Sequence, residues 1–308
     1  MTDVLSFDAL NSEAQIENVQ RGKIKIFLEG RDDQTLFGVY WFPEYQEWFD
    51  FLTPEAENAA GQNGCKGVVD AVANKRTDHA IAYGILDRDA LLREKNWDLL
   101  FEADDNAFAS AKPFGEFIFV TSAYEIESYL LSKNHIARWF RLHSSRWKQP
   151  EHRLDDTQVM NFVSVECDHA AYMVPYDAAC MVLGLKKLPE GFACDKYDQK
   201  FIDAITEKLG SLDKWSHEAV AELMDDIGVR LEKARMHFTG ENTVLDFAAR
   251  FLDPKRILIR LSANHYLGDK WRLVAVISEF STAEKTSFRP AEIANFLDTL
   301  KEEAFFAI

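Results

Sequence analysis

The sequence predicts an α/β domain with a mostly parallel sheet over residues 1–132, followed by a mainly helical domain over residues 133–308. Three observations carry this. Short apolar runs alternate with helical patterns up to about residue 130, the rhythm of parallel strands covered by helices on both faces. Beyond residue 133 the pattern changes to long segments with apolar residues three and four apart. Finally, 47% of the 308 residues are hydrophobic, enough for a sizeable core.

Residues 24–28 (IKIFL) read as a short buried strand, and 32–41 (DDQTLFGVYW) as a helix with Asp32 at or near its N-cap. Residues 47–52 (EWFDFL) form a second strand. A polar, glycine-containing loop, ENAAGQNGCKG, leads into a helix at 68–76. The run AIAYGIL (80–86), bounded by charges, suits a strand buried on both faces. EFIFVT (116–121) is a fourth strand, and SAYEIESYLL (122–131) a helix that Ser122 can cap. In the second domain FIDAITEKLG, SHEAVAELMDDIGVRLEKAR, NTVLDFAARFL and AEIANFLDTLKEEAFFAI read as helices. HSSRWKQPEHRLDD (143–156) reads as a linker or exposed loop.

Composition narrows the function. The net charge is −16, with 51 acidic against 35 basic residues, which argues against non-specific coating of nucleic acid but not against a nuclease. No stretch approaches the roughly 20 uninterrupted apolar residues of a membrane span, and the first residues are acidic and polar, unlike a signal peptide. A cytoplasmic protein without membrane contact is the expectation. Cys65, Cys167, Cys180 and Cys194 lack the close pairing of a zinc site and read as reduced thiols. His135, His143, His152 and His169 show no zinc spacing either.

Acidic residues end three of the strands. IKIFL ends in Glu29, AIAYGIL in Asp87-Arg88-Asp89, and EFIFVT in a segment carrying Glu125 and Glu127. In a parallel sheet these all reach one rim, the edge at which open α/β sheets bind ligands. Asp87 and Asp89, two residues apart, can point the same way and share a hard cation. Glu29 and Asp33, separated by Gly30, can straddle the strand-to-helix turn. Carboxylates so packed repel one another unless a divalent ion neutralises them, so one or two Mg²⁺ or Mn²⁺ ions are expected. An acid after a strand also serves as a helix cap, which is the competing reading for Asp32 and Asp33.

FLEGRDD with GILDRDA resembles the Toprim motif pair, a Glu at the end of the first strand and an Asp-x-Asp at the end of a later one. The separation of about 58 residues between Glu29 and Asp87, the intervening QNGCKG and the later YEIESYLL sharpen the likeness. They are similar to stand-alone OLD-like Toprim nucleases encoded beside an ABC-type ATPase in bacterial anti-phage systems, including the AriB effectors of PARIS systems. The resemblance covers roughly residues 20–132 and implies a Rossmann-like sheet. It implies that Glu29 is a metal ligand or general acid/base, that Asp33, Asp87 and Asp89 hold Mg²⁺, and that Glu127 completes a second ion's shell. It further implies a toxic effector endonuclease that is stored with an AriA-like ABC-type ATPase, dimerises on release and cleaves host tRNA. A DNA nuclease of OLD-like type and a non-catalytic Toprim-fold interaction module are the alternatives.

Supporting residues are read both ways. Lys66 in NGCKG either approaches a phosphate or is a solvated lysine opening a helix. Arg31 and Arg88 either contact substrate phosphates or balance local charge. In IARWFRLHSSRWKQP (136–150), Arg138 and Arg141 interleave with Trp139 and Phe140, which suits either stacking on unpaired bases or an amphipathic helix with its aromatics inward. Tyr124, Tyr129 and Tyr172 read as packed residues rather than nucleophiles. Part of the apolar surface of the C-terminal helices is expected at a homodimer or ATPase interface.

Overall fold

The computed structural model describes residues 22–57, 64–78, 80–143, 154–185, 216–238, 243–265 and 289–306. Four strands, β1 (Ile24–Phe27), β2 (Phe49–Leu52), β3 (Ala82–Leu86) and β4 (Ile118–Val120), form one sheet in the order β2-β1-β3-β4, and each neighbouring pair is parallel. The helices are α1 (Arg31–Thr35), α2 (Cys65–Thr77), α3 (Ala90–Arg93), α4 (Trp97–Leu100), α5 (Asp105–Ala111), α6 (Lys133–His143), α7 (Asp156–Leu183), α8 (His217–Arg235), α9 (Thr243–Phe251), α10 (Pro254–His265) and α11 (Ala291–Phe306). The protein is therefore α/β with a parallel sheet, and the helix read at FIDAITEKLG lies outside the described residues.

Two compact units share these elements. One holds the described residues up to Leu86, Lys112–Thr121 and the C-terminal helix; the other holds Asp87–Ala111 and the described residues from Ser122 to His265. These units differ from the division at 132/133 that the sequence suggests: Asp87–Ala111 and the described residues from Ser122 group with the later helices, and α11 groups with the sheet. Phe296 of α11 stacks on Phe119 at 4.5 Å and meets Tyr83 edge-on at 6.2 Å. Tyr45 Oη donates to Asp298 Oδ1 at 2.8 Å, tying the same helix to the turn before β2.

The opposite face is set by Gly84, which pairs with Phe27 of β1 and Ile118 of β4. A Cβ there would lie 2.6 Å from Val68 Cγ1 and 2.7 Å from Ile118 Cδ1, so the absent side chain is what lets α2 lie close on β3.

Two local readings change. The helix expected at 32–41 is α-helical only over α1 and widens into a π-helix at Leu36–Trp41, which buries Leu36, Phe37 and Trp41. Gly30, not Asp32, takes the N-cap position. The helix expected at 122–131 is a 3₁₀ turn at Ile126–Leu130 preceded by bends. Ser122 does not cap it; its carbonyl accepts from Arg88 Nη1 at 3.2 Å.

In the second unit the long helix α7 packs against α6, α8, α9 and α10. Asp155 caps it by accepting from Gln158 N at 2.8 Å, and Gly184 ends it at φ +67°. Its buried acids are matched from α10: Glu166 by Arg260 Nε at 2.6 Å, and Asp177 by Arg256 Nη2 at 3.2 Å. Among the described residues no helix is long and apolar enough to cross a membrane.

Candidate metal centre

Glu29 stands two residues beyond β1 and Asp87 one residue beyond β3. The two strands are hydrogen-bonded neighbours running the same way, so both carboxylates emerge at one end of adjacent strands. Leu28 N–H still donates to Leu52 O at 2.9 Å, which extends the ladder up to Glu29. Carboxylate oxygens of Glu29, Asp87 and Asp89 lie within 4.8 Å of one another.

The turn after β3 is built to present its two acids. Asp89 N–H donates to Tyr124 O at 3.0 Å and Ala90 N–H to Asp87 O at 3.1 Å. Arg88, between the acids, is fully buried. Its Nε donates to Leu100 O at 2.9 Å, and its Nη2 to Leu99 O at 3.1 Å and Glu102 O at 2.6 Å. The guanidinium lies 4.1 Å from the Phe108 ring centre and 4.8 Å from that of Phe251. Pulling Arg88 inward leaves its neighbours in the sequence free to face the other way. Arg88 is therefore a packing residue in this structure, not one facing a substrate.

The donor set fits a hard divalent cation. Three carboxylates share one small volume, and Arg93 Nη2 lies 3.3 Å from Asp89 Oδ2 at its side. Oxygen-only ligands of this kind suit Mg²⁺ or Mn²⁺.

Asp33 and Glu127 are not part of that group. Asp33 Oδ2 accepts from Gly30 N–H at 3.0 Å and so holds the strand-to-helix turn. Glu127 Oε1 lies 3.3 Å from Lys255 Nζ, which is also 3.2 Å from Glu125 Oε2. Burial raises the Glu127 carboxyl above its ordinary range, against the opposing pull of Lys255. Burial alone would lower the Lys255 ammonium, but Glu125, Glu127 and Asp87 together hold it above its ordinary range.

Lys255 is the site-adjacent residue that the sequence reading missed. It occupies the second position of α10, after Pro254, where a cation opposes the helix dipole. That unfavourable placement is a sequence signal, but nothing in the spacing links it to Glu127.

Arg31 is exposed and pairs with Glu55 at 3.3 Å; both line a surface hollow with Glu29, Gly30 and Thr53. Lys66 is exposed in the first turn of α2. On α6, Trp139 and Phe140 are buried, Arg138 is half-buried, and exposed Arg141 pairs with Asp156 at 2.6 Å. The described part of that stretch is an amphipathic helix with its aromatics inward; Arg146, Trp147 and Lys148 lie outside the described residues. Compared with known proteins, the chain matches no family model, no curated protein and no solved structure.

Proposed function

We propose that the protein is a Mg²⁺- or Mn²⁺-dependent phosphodiester hydrolase of Toprim type, with Glu29, Asp87 and Asp89 as the metal-holding carboxylates. The observation that carries the reading is the emergence of Glu29 and Asp87 at the same end of two adjacent parallel strands, with Asp89 two residues on. A bound divalent ion would polarise the phosphoryl oxygen and acidify a water. Glu29 is half-buried at the edge of the hollow and is the group suited to take the proton of the attacking water as the leaving oxygen departs. Arg31, on the same hollow, is held by an exposed ion pair of about 0–1 kcal/mol, so a substrate phosphate can displace Glu55 at small cost.

The likeness of FLEGRDD and GILDRDA to the OLD-like Toprim pattern supports the narrower proposal. In it the protein is an anti-phage effector endoribonuclease that cleaves tRNA, is held by an AriA-like ABC-type ATPase and works as a homodimer. The test is an assay in Mg²⁺ on total tRNA, single-stranded DNA and plasmid. Discrete tRNA cuts reduced about a hundredfold or more in Glu29→Ala are the predicted outcome. Plasmid nicking with intact tRNA would replace the ribonuclease with a DNA nuclease, and cleavage that ignores Glu29→Ala would overturn the site itself.

A further inference from the structure

The second acidic pair, Glu125 and Glu127, already has a cation. Its carboxylates are 8% and 14% exposed, and Lys255 Nζ lies 3.2 Å from one and 3.3 Å from the other. Both sides of this contact are anchored. Tyr124 N–H donates to Ala249 O at 2.8 Å, which fixes the acidic turn against α9, and Glu125 N–H donates to Ser128 Oγ at 3.3 Å. On the other side Pro254 opens α10, and Asp253 Oδ1 accepts from Arg256 N at 3.1 Å, which fixes the turn bearing Lys255. At 3.2 and 3.3 Å these contacts are ion pairs with the ammonium, whereas Mg²⁺ would require oxygens at about 2.0–2.1 Å from the ion. An ion entering here would have to expel Nζ from both of its carboxylate partners, a costly exchange at two buried acids.

We infer that Lys255 is a built-in replacement for a second divalent ion: its ammonium fills the place between Glu125 and Glu127, and the centre takes up a single exchangeable metal at Glu29, Asp87 and Asp89. This deepens the metal reading above and rests on it. The lysine thereby turns a carboxylate set large enough for a pair of ions into a site for one, with the second positive charge supplied by the chain.

Mn²⁺ binding to the full chain, counted by loss of the free-ion EPR signal, tests the inference without reference to activity. The wild type should bind one Mn²⁺, with binding weakened at least about tenfold in Glu29→Gln and within about twofold of wild type in Glu127→Gln. Lys255→Met should gain a second Mn²⁺, which the further change Glu127→Gln should remove, whereas Lys255→Arg should keep a single ion. Two ions on the wild type, falling to one in Glu127→Gln, would overturn the inference while leaving the metal reading intact. A folded Lys255→Met protein that still binds one ion would overturn it as well. No Mn²⁺ on the wild type would overturn the metal reading, and the inference with it. Should Lys255→Met not fold, the wild-type count and the response of Glu127→Gln still decide.

Discussion

Arg88 shows how one side chain fixes the direction of two others. Three acceptor carbonyls from 99–102 and a fourth at Ser122 hold its guanidinium inside. Replacing it by Met should cost about 3 kcal/mol or more, because buried carbonyls lose their donors. Lys should not rescue it, since a single ammonium cannot span four carbonyls as a planar guanidinium does. Thermal or urea unfolding of both variants measures this, and a loss below about 0.5 kcal/mol in Arg88→Met would contradict the assigned role. The same residue marks the limit of sequence reading at this scale. Glu29, Asp87 and Asp89 were legible because a strand end fixes where the next residue emerges. Asp33 was placed beside the ion by its position across the strand-to-helix turn as well as by resemblance, and Glu127 by resemblance, but which way a carboxylate turns depends on local donors: Gly30 N–H for one and Lys255 for the other. Lys255 was illegible because its partners are remote in the chain.

At the scale of elements, the strand ends depend on how closely helices cover the sheet. Gly84→Ala would drive a methyl into Val68 and Ile118 and should cost about 1–3 kcal/mol, read by denaturant unfolding. On the other face, the hydrogen bond from Tyr45 to Asp298 links α11 to the turn before β2. Burial first, and then Asp298, push the Tyr45 phenol from 10.0 up to about 12. A raised folded value means that its stabilisation is complete below pH 10 and is lost as pH rises through about 12. The stability difference between wild type and Tyr45→Phe should therefore be constant up to about pH 9 and shrink between pH 10 and 12, as unfolding curves at each pH would show. A difference that stays constant to pH 12 would rule this contact out as the cause. All four strands were legible to within two residues at either end, because alternation and charge boundaries mark a buried strand. The helix α7 was not read, for a physical reason: its buried face, with Val163, Cys167, Ala170 and Met173, also carries the acids Glu166 and Asp177, while Val165 and Tyr172 stand exposed on the other side, so no clean amphipathic period stands out. Nor did anything local announce that α11 belongs with the sheet, since its ring contacts with Phe119 and Tyr83 join residues far apart in sequence.

For the whole molecule, the acidic balance of −16 opposes a polyanionic substrate at long range. Proteins that bind nucleic acid through many lysines lose affinity as salt rises. Here the sign should reverse at low ionic strength. Raising monovalent salt from about 10 to 100 mM, which shortens the Debye length from about 30 to 10 Å, should raise kcat/KM on an RNA substrate. A steep fall over that range would contradict this reading. The central claim is that the acids at the ends of β1 and β3 form a catalytic metal centre. Its most direct test is the rate of tRNA cleavage by wild type, Glu29→Ala and Asp89→Asn, each with Mg²⁺ and with EDTA. The account predicts cleavage by the wild type in Mg²⁺ alone, lowered about a hundredfold or more in both variants while their unfolding curves stay cooperative. Equal cleavage by wild type and folded variants, or cleavage that persists in EDTA, would contradict it.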